Sequence, residues 1–136
     1  AVIQGAAYEM ERVRRAAERL TGAIDELIIV GGGARIRRWL QLKADVAGRP
    51  VLVSPHEEAA LLGAALLAGV GEGAYAGTRA AVEAVNAGRG ALIEPDRVDH
   101  RAHQRLLDGP YTALQGPIRQ ASAALAVALR EDEARV

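Results

Sequence analysis

Over the first twenty residues, apolar side chains recur at Ile3, Ala6, Met10, Val13, Ala17 and Leu20, steps of three and four that draw one stripe on a helix. Glu9, Glu11, Arg12, Arg14, Arg15, Glu18 and Arg19 fall on the other face, which reads as a solvated surface, and Thr21-Gly22 ends the helix by turn chemistry. The period then changes. Leu27-Ile28-Ile29-Val30 is an unbroken, mostly β-branched run, as expected of a strand buried on both faces, and Gly31-Gly32-Gly33 follows it at once. Ile36, Leu40, Ala44 and Ala47 next hold a helical register until Gly48-Arg49-Pro50 stops it, and Val51-Leu52-Val53 makes a second short strand. Two strands joined by a helical crossover pair in parallel, so the chain leaves both at the same edge of the sheet. The residues from Gly31 to Gly33 and from Ser54 to Glu57 are therefore expected to be neighbours.

Behind Pro55, Glu57 and Glu58 are placed in the first turn of a third helix, where a negative charge offsets the helix dipole by roughly 0.3–1 kcal/mol. The body of that helix, Ala59 to Gly69, carries no charge on any side and is expected to be enclosed by protein all round. Gly63 inside it costs about 1 kcal/mol relative to alanine, which suits a neighbouring helix packed on that backbone. After a glycine-dense loop to Gly77, Thr78 is placed as the cap of a short helix through Val85, which Gly88-Arg89-Gly90 breaks. Asp96 is placed as the cap of a helix over Val98 to Leu107. Asp108-Gly109-Pro110 and Gly116-Pro117 interrupt the chain beyond it, yet Leu107, Tyr111, Leu114 and Ile118 keep helical spacing across both, so one kinked helix and two separate helices are both open.

Composition narrows the possible functions. The chain has 136 residues, half of them apolar, with no Phe and one Trp, so its core must be built of Ala, Leu, Val and Ile. A formal net charge of zero lacks the broad positive field that nucleic acid or an anionic membrane surface attracts, and neither is expected as a partner. There is no cysteine, which excludes thiol chemistry and a disulfide framework and suits a cytoplasmic location. The longest apolar run, from Ala59 to Gly71, is shorter than the roughly 20 residues of a bilayer span.

Candidate chemistry concentrates at the glycine triplet. A turn without Cβ atoms lets a ligand approach the peptide plane, and the first N–H groups of the helix behind it lack intrahelical partners and favour a polar or anionic group. The bland alternative is a turn that merely lets strand and helix pack closely. The dinucleotide pattern G-x-G-x-x-G fails at its third glycine, where Ile36 stands. A phosphate-cradling P-loop fails too, because the only lysine, Lys43, follows Leu42 and not glycine. His56, His100 and His103 read as structural or surface histidines, with no third ligand to make a metal site. Asp45 lies two turns down its helix, away from the glycines.

Three blocks taken together carry a resemblance: residues 27–35 (LIIVGGGAR), 39–51 (WLQLKADVAGRPV) and 58–65 (EAALLGAA). In this order and spacing they resemble the C-terminal part of the FGGY carbohydrate kinases, most of all the xylulokinase-like branch, and residues such as Pro95-Asp96 and Tyr111 to Leu114 extend the likeness over nearly the whole chain. The resemblance implies part of an actin-like, RNase H-like ATPase domain: a short, mainly parallel sheet flanked by helices, with a helical C-terminal tail. It divides the chain into residues 1–76, the nucleotide-binding part, and 77–136, a helical extension of the same domain. It implies transfer of the ATP γ-phosphoryl group to a sugar or polyol hydroxyl, a pentulose such as xylulose foremost, with Mg²⁺ assisting. Gly31, Gly32 and Gly33 match the segment that meets the adenosine and α-phosphate, and Arg37 matches a position that flanks adenine. Glu58 and Gly63 match the supporting segment. Ile36 stands where a serine is frequent and Gln4 where a glutamate is frequent.

No catalytic residue or metal ligand can be placed here, since the family's phosphate loops, catalytic aspartate and sugar contacts lie upstream of the matching segments. The expectation is the ATP-binding end of a longer kinase, inactive alone, whose open sheet edge is covered by self-association into a homo-oligomer or by the missing portion. The alternative is a stand-alone, non-catalytic module that binds a nucleotide or a protein partner.

Overall fold

The computed structural model describes residues 2–85, 88 and 90–133; Arg89, placed above among the breakers, lies outside them. The chain forms two compact units, residues 1–100 and 101–136.

In the first unit, helix α1 (Val2–Thr21) leads to strand β1 (Leu27–Ile29), a 3-10 turn (Gly32–Arg35), helix α2 (Arg37–Ala47) and strand β2 (Val51–Val53). Helices α3 (Ala59–Gly71) and α4 (Thr78–Ala84), strand β3 (Leu92–Ile93) and the start of α5 (Arg97–Leu106) complete it. β1 and β2 pair in parallel, Leu27 opposite Val51 and Ile29 opposite Val53, as the α2 crossover requires. A third strand, β3, that the pattern does not predict pairs antiparallel to β2, with Val51 opposite Ile93, so the sheet is mixed and not mainly parallel. The sheet order is β1-β2-β3, which leaves β1 at an edge.

The core lies where α2 covers the sheet: Leu40, Ala44, Val51 and Ile93 are buried, with Leu27, Ile29 and Val53 packed against them. Asp45, also buried, is no site of chemistry. Its carboxylate accepts hydrogen bonds from the Asp96 amide at 2.7 Å and the Gln41 side chain at 2.8 Å, which ties α2 to the segment entering α5. Gly48 ends α2 in the left-handed conformation at φ 63°, and its N–H donates to the Ala44 carbonyl. The His100 imidazole lies over Gly48, and its Nδ1–H donates to the Asp45 carbonyl at 2.8 Å. His100 is thus a half-buried strut and not a surface histidine.

Several expectations are corrected here. On α1 the side that turns inward carries Ala7, Tyr8, Glu11 and Arg14: of the charged set Glu11 is 1% and Arg14 9% exposed, while Ile3, Val13 and Leu20 of the apolar stripe are 61%, 67% and 89% exposed. Glu11 takes two hydrogen bonds from Arg14, at 2.7 and 2.8 Å, and one from Arg15 at 2.7 Å. Charges so arranged satisfy one another, so the face can be buried without orphaned atoms. Helix α3 starts at Ala59, so Glu57 and Glu58 precede its first turn. None of its residues is buried, and although α4 lies beside it a Cβ at Gly63 would meet nothing within 4 Å, so among the described residues α3 is neither enclosed nor packed upon at Gly63. Gly77, not Thr78, caps α4.

In the second unit the remainder of α5 runs into one π turn (Leu107–Tyr111) and α6 (Thr112–Glu133). Gly109, at ψ −107°, and Pro110 make a kink, whereas the helix continues through Gly116 and Pro117. The kinked helix is therefore the form adopted. Asp96 caps α5 as expected, accepting from the amides of Val98 at 2.7 Å and Asp99 at 3.0 Å.

Candidate functional site

The chain leaves β1 through Gly31 at φ 82°, ψ −178°, a conformation essentially closed to residues with a Cβ. From there Gly32–Arg35 winds a single 3-10 turn, held by the Ala34 amide on the Gly31 carbonyl at 2.9 Å and the Ile36 amide on the Gly33 carbonyl at 3.3 Å. Ile36 is the N-cap of α2, and with no polar atom it cannot cap the first turn. No side chain caps the first turn, while the Trp39 and Leu40 amides donate to the Ile36 carbonyl at 2.9 and 3.1 Å.

The expected meeting of the two strand ends is present. The Gly31 N–H donates to the Glu57 carbonyl at 3.2 Å and the Ser54 N–H to the Ile29 carbonyl at 2.9 Å. Arg35 and Glu57 form an ion pair across the two loops, and that bond raises the Arg35 guanidinium above its ordinary value. Both side chains are exposed, so the pair orients the loops more than it stabilises them.

Beside Gly33 lies a cavity of about 580 Å³ walled by Val2, Ile3 and Ala6 of α1 and by Ile36, Arg38, Trp39 and Leu42 around the start of α2. Its size is that of an ordinary small-molecule site. The Trp39 indole forms its floor toward the turn, 3.4 Å from where a Cβ on Gly33 would lie. Lys43 rests 4.7 Å over the same ring, and partial burial lowers its amine below the ordinary value. Gly31, Gly32 and Gly33 are thus brought to one turn, but only Gly33 borders the cavity. Arg37, the first residue of α2, is exposed and stands outside that wall; Arg38 borders it instead. Trp39 and Arg38 were missed from the sequence. The signal that could have found Trp39 is its being the one tryptophan in a chain almost without aromatics, one turn into the helix behind the glycines. No group of three or more His, Cys, Asp or Glu among the described residues could hold a metal ion.

Residues 1–72 match the C-terminal domain of the FGGY family of carbohydrate kinases. The chain belongs to this family. Over 125 residues it is 30% identical to a xylulose kinase of Staphylococcus epidermidis, covering 92% of this chain and 25% of that one. A 49-residue stretch, 36% of this chain and 9% of the relative, is 49% identical to an autoinducer-2 kinase of Yersinia enterocolitica. A solved xylulose kinase from Rhodospirillum rubrum superposes with a TM-score of 0.67 at 24% identity, over 88% of this chain and 24% of that one. The fold is accordingly a partial actin-like ATPase domain, in the C-terminal part of an FGGY kinase, as the resemblance implied. The chain spans about a quarter of the length of these kinases.

Proposed function

We propose that this chain is the ATP-binding, C-terminal portion of a cytoplasmic sugar kinase that transfers the γ-phosphoryl group of ATP to a sugar or polyol hydroxyl, a pentulose such as xylulose foremost. The observation that carries the reading is the bare turn at Gly31–Gly33, which borders an apolar cavity at Gly33 and leads into a helix start that no side chain caps. A flat base fits the cavity, while the peptide plane at Gly32 and Gly33 can lie against the ribose and α-phosphate because no Cβ intervenes. Arg37 stands beside the same helix start and is available to flank the nucleotide. Residues 1–76 then form the nucleotide-binding part and 77–136 its helical extension.

Phosphoryl transfer also requires a carboxylate for Mg²⁺, a base for the attacking hydroxyl and a cradle for the β- and γ-phosphates. On this reading the metal ligands and the sugar contacts come from the rest of the kinase, of which the chain spans about a quarter. Support for the whole activity comes from the xylulose kinases it resembles.

Calorimetry of the chain with a non-hydrolysable ATP analogue should show saturable heat that Gly33→Val removes by filling the turn against Trp39. A coupled ADP-release assay with pentuloses and polyols should show no turnover by the chain alone. Absence of any heat would leave the glycines as packing residues and overturn the nucleotide reading; saturable turnover would overturn the inactivity of this portion.

A further inference from the structure

Bare peptide at Gly31–Gly33 has no side chain to hold its own geometry, and glycine has more backbone freedom to lose than any other residue. A ligand that lies against those peptide planes binds well only where they are already set, because ordering them on binding subtracts from affinity. The bonds inside the turn, from the Ala34 amide to the Gly31 carbonyl and from the Ile36 amide to the Gly33 carbonyl, fix its internal shape. Where the turn stands against the end of β2 has to be fixed from outside.

Glu57 supplies that outside hold. Its carbonyl accepts from the Gly31 N–H at 3.2 Å, just ahead of the turn, and its carboxylate pairs with the guanidinium of Arg35, the last residue of the turn. One residue thus grips Gly32–Arg35 at both ends. The loop that carries Glu57 is itself shaped: the Ser54 N–H donates to the Ile29 carbonyl at 2.9 Å, and the Ser54 hydroxyl accepts from the His56 N–H at 3.1 Å. Glu58 adds to the negative field at Arg35. The Arg35 and Glu57 side chains are 64% and 55% exposed, so their pair contributes little to the stability of the fold. Its place at the glycine turn is what gives it a role.

We propose that Glu57 is the positioning residue of the glycine turn, acting through Arg35 and through its own carbonyl, and that this clasp sets the peptide planes against which the nucleotide lies. The inference rests on the nucleotide reading above. Neither side chain has to touch the nucleotide for this. The sign of a charge reversal separates the role from direct attraction. Glu57→Arg adds positive charge near an anionic ligand, which tightens binding if the field alone matters and loosens it if the clasp matters.

The test is calorimetry with the non-hydrolysable ATP analogue on the parent chain, on Glu57→Arg, on Arg35→Glu and on the double variant that carries both. Amide exchange at Gly31, read by NMR, reports the turn without any ligand. Each single variant should bind the analogue at least about two- to fivefold more weakly, the range that an exposed ion pair is worth, and should exchange the Gly31 amide faster. The double variant has the parent's net charge and an ion pair of reversed sense, and should recover both readouts. Glu57→Arg binding as tightly as the parent, or more tightly, would overturn the inference and leave the nucleotide reading standing. So would a double variant no better than the weaker single, the result expected if Arg35 met the phosphates directly. No heat from the parent would overturn the nucleotide reading, and Gly31 exchange then decides the clasp: equal rates in the parent and the single variants overturn it too.

Discussion

Gly48 shows how much one residue can be asked to do. It must take a left-handed conformation at φ 63°, and any Cβ there would overlap the His100 imidazole. The conformation alone costs a residue with a Cβ about 1–2 kcal/mol. Gly48→Ala should therefore lose at least about 2 kcal/mol in urea unfolding, since the imidazole must also move and give up its bond to the Asp45 carbonyl, worth about 1 kcal/mol. In the His100→Ala background the same glycine substitution should cost only the conformational part, and the difference between the two measures the contact. Equal costs in both backgrounds would show that His100 does not hold this end of α2. The glycine was legible as a helix stop in the run Gly48-Arg49-Pro50. Its partner was not, because the contact joins residues 52 positions apart and neither carries a local signal of the other.

At the scale of elements, α1 overturns the rule by which it was recognised. The apolar stripe located the helix correctly from Val2, but the side that faces the unit interior is the one with Glu11 and Arg14. Glu11→Ala would take from the buried Arg14 guanidinium the two hydrogen bonds it gives Glu11, leaving Glu18 as its only carboxylate among the described residues, and should destabilise the chain by about 1–3 kcal/mol in urea. Glu18 acts at the exit of the same helix, taking the Ile24 amide at 3.1 Å together with Arg14 and Arg49. Its carboxyl is held below the ordinary glutamate value, first by the Ile24 amide and then by the two arginines. A folded-state value below the unfolded one contributes stability above the ordinary range, and that contribution fades as pH falls through the lowered value. Glu18→Gln should consequently be less stable than the parent at neutral pH and converge with it in acid. A constant difference down to acid pH would remove the carboxylate from that account.

Apolar surface is left bare on several elements of the first unit. Besides the α1 stripe, Leu61 and Leu67 of α3 are 68% and 64% exposed, and β1 is an edge strand with an exposed Ile28. Patches of this kind mark surfaces that another protein covers, and an open strand edge invites pairing. Sedimentation velocity on the isolated chain should show concentration-dependent association, which the upstream portion of the kinase, supplied as a separate polypeptide, should dissolve into a one-to-one complex. A monodisperse monomer whose β1 amides are well protected from exchange would contradict this. The expectation that α3 is enclosed on all sides fails for the same reason, since its charge-free sequence fits a covering that the described residues do not supply.

What the sequence determined by itself is local: the β-branched run of β1, the glycine turn, the α2 register and its stop, and the Asp96 cap. Each follows from the preferences of a few adjacent residues, and so did the parallel pairing that brings the Gly31 turn to Glu57. Tertiary structure alone decided which face of α1 turns inward, that the two residues Leu92 and Ile93 become a strand, and that Trp39 and Arg38 wall a cavity beside Gly33. Those outcomes depend on distant partners: a buried charge is tolerated only where another meets it, a two-residue strand exists only by its ladder, and a cavity belongs to all the elements around it.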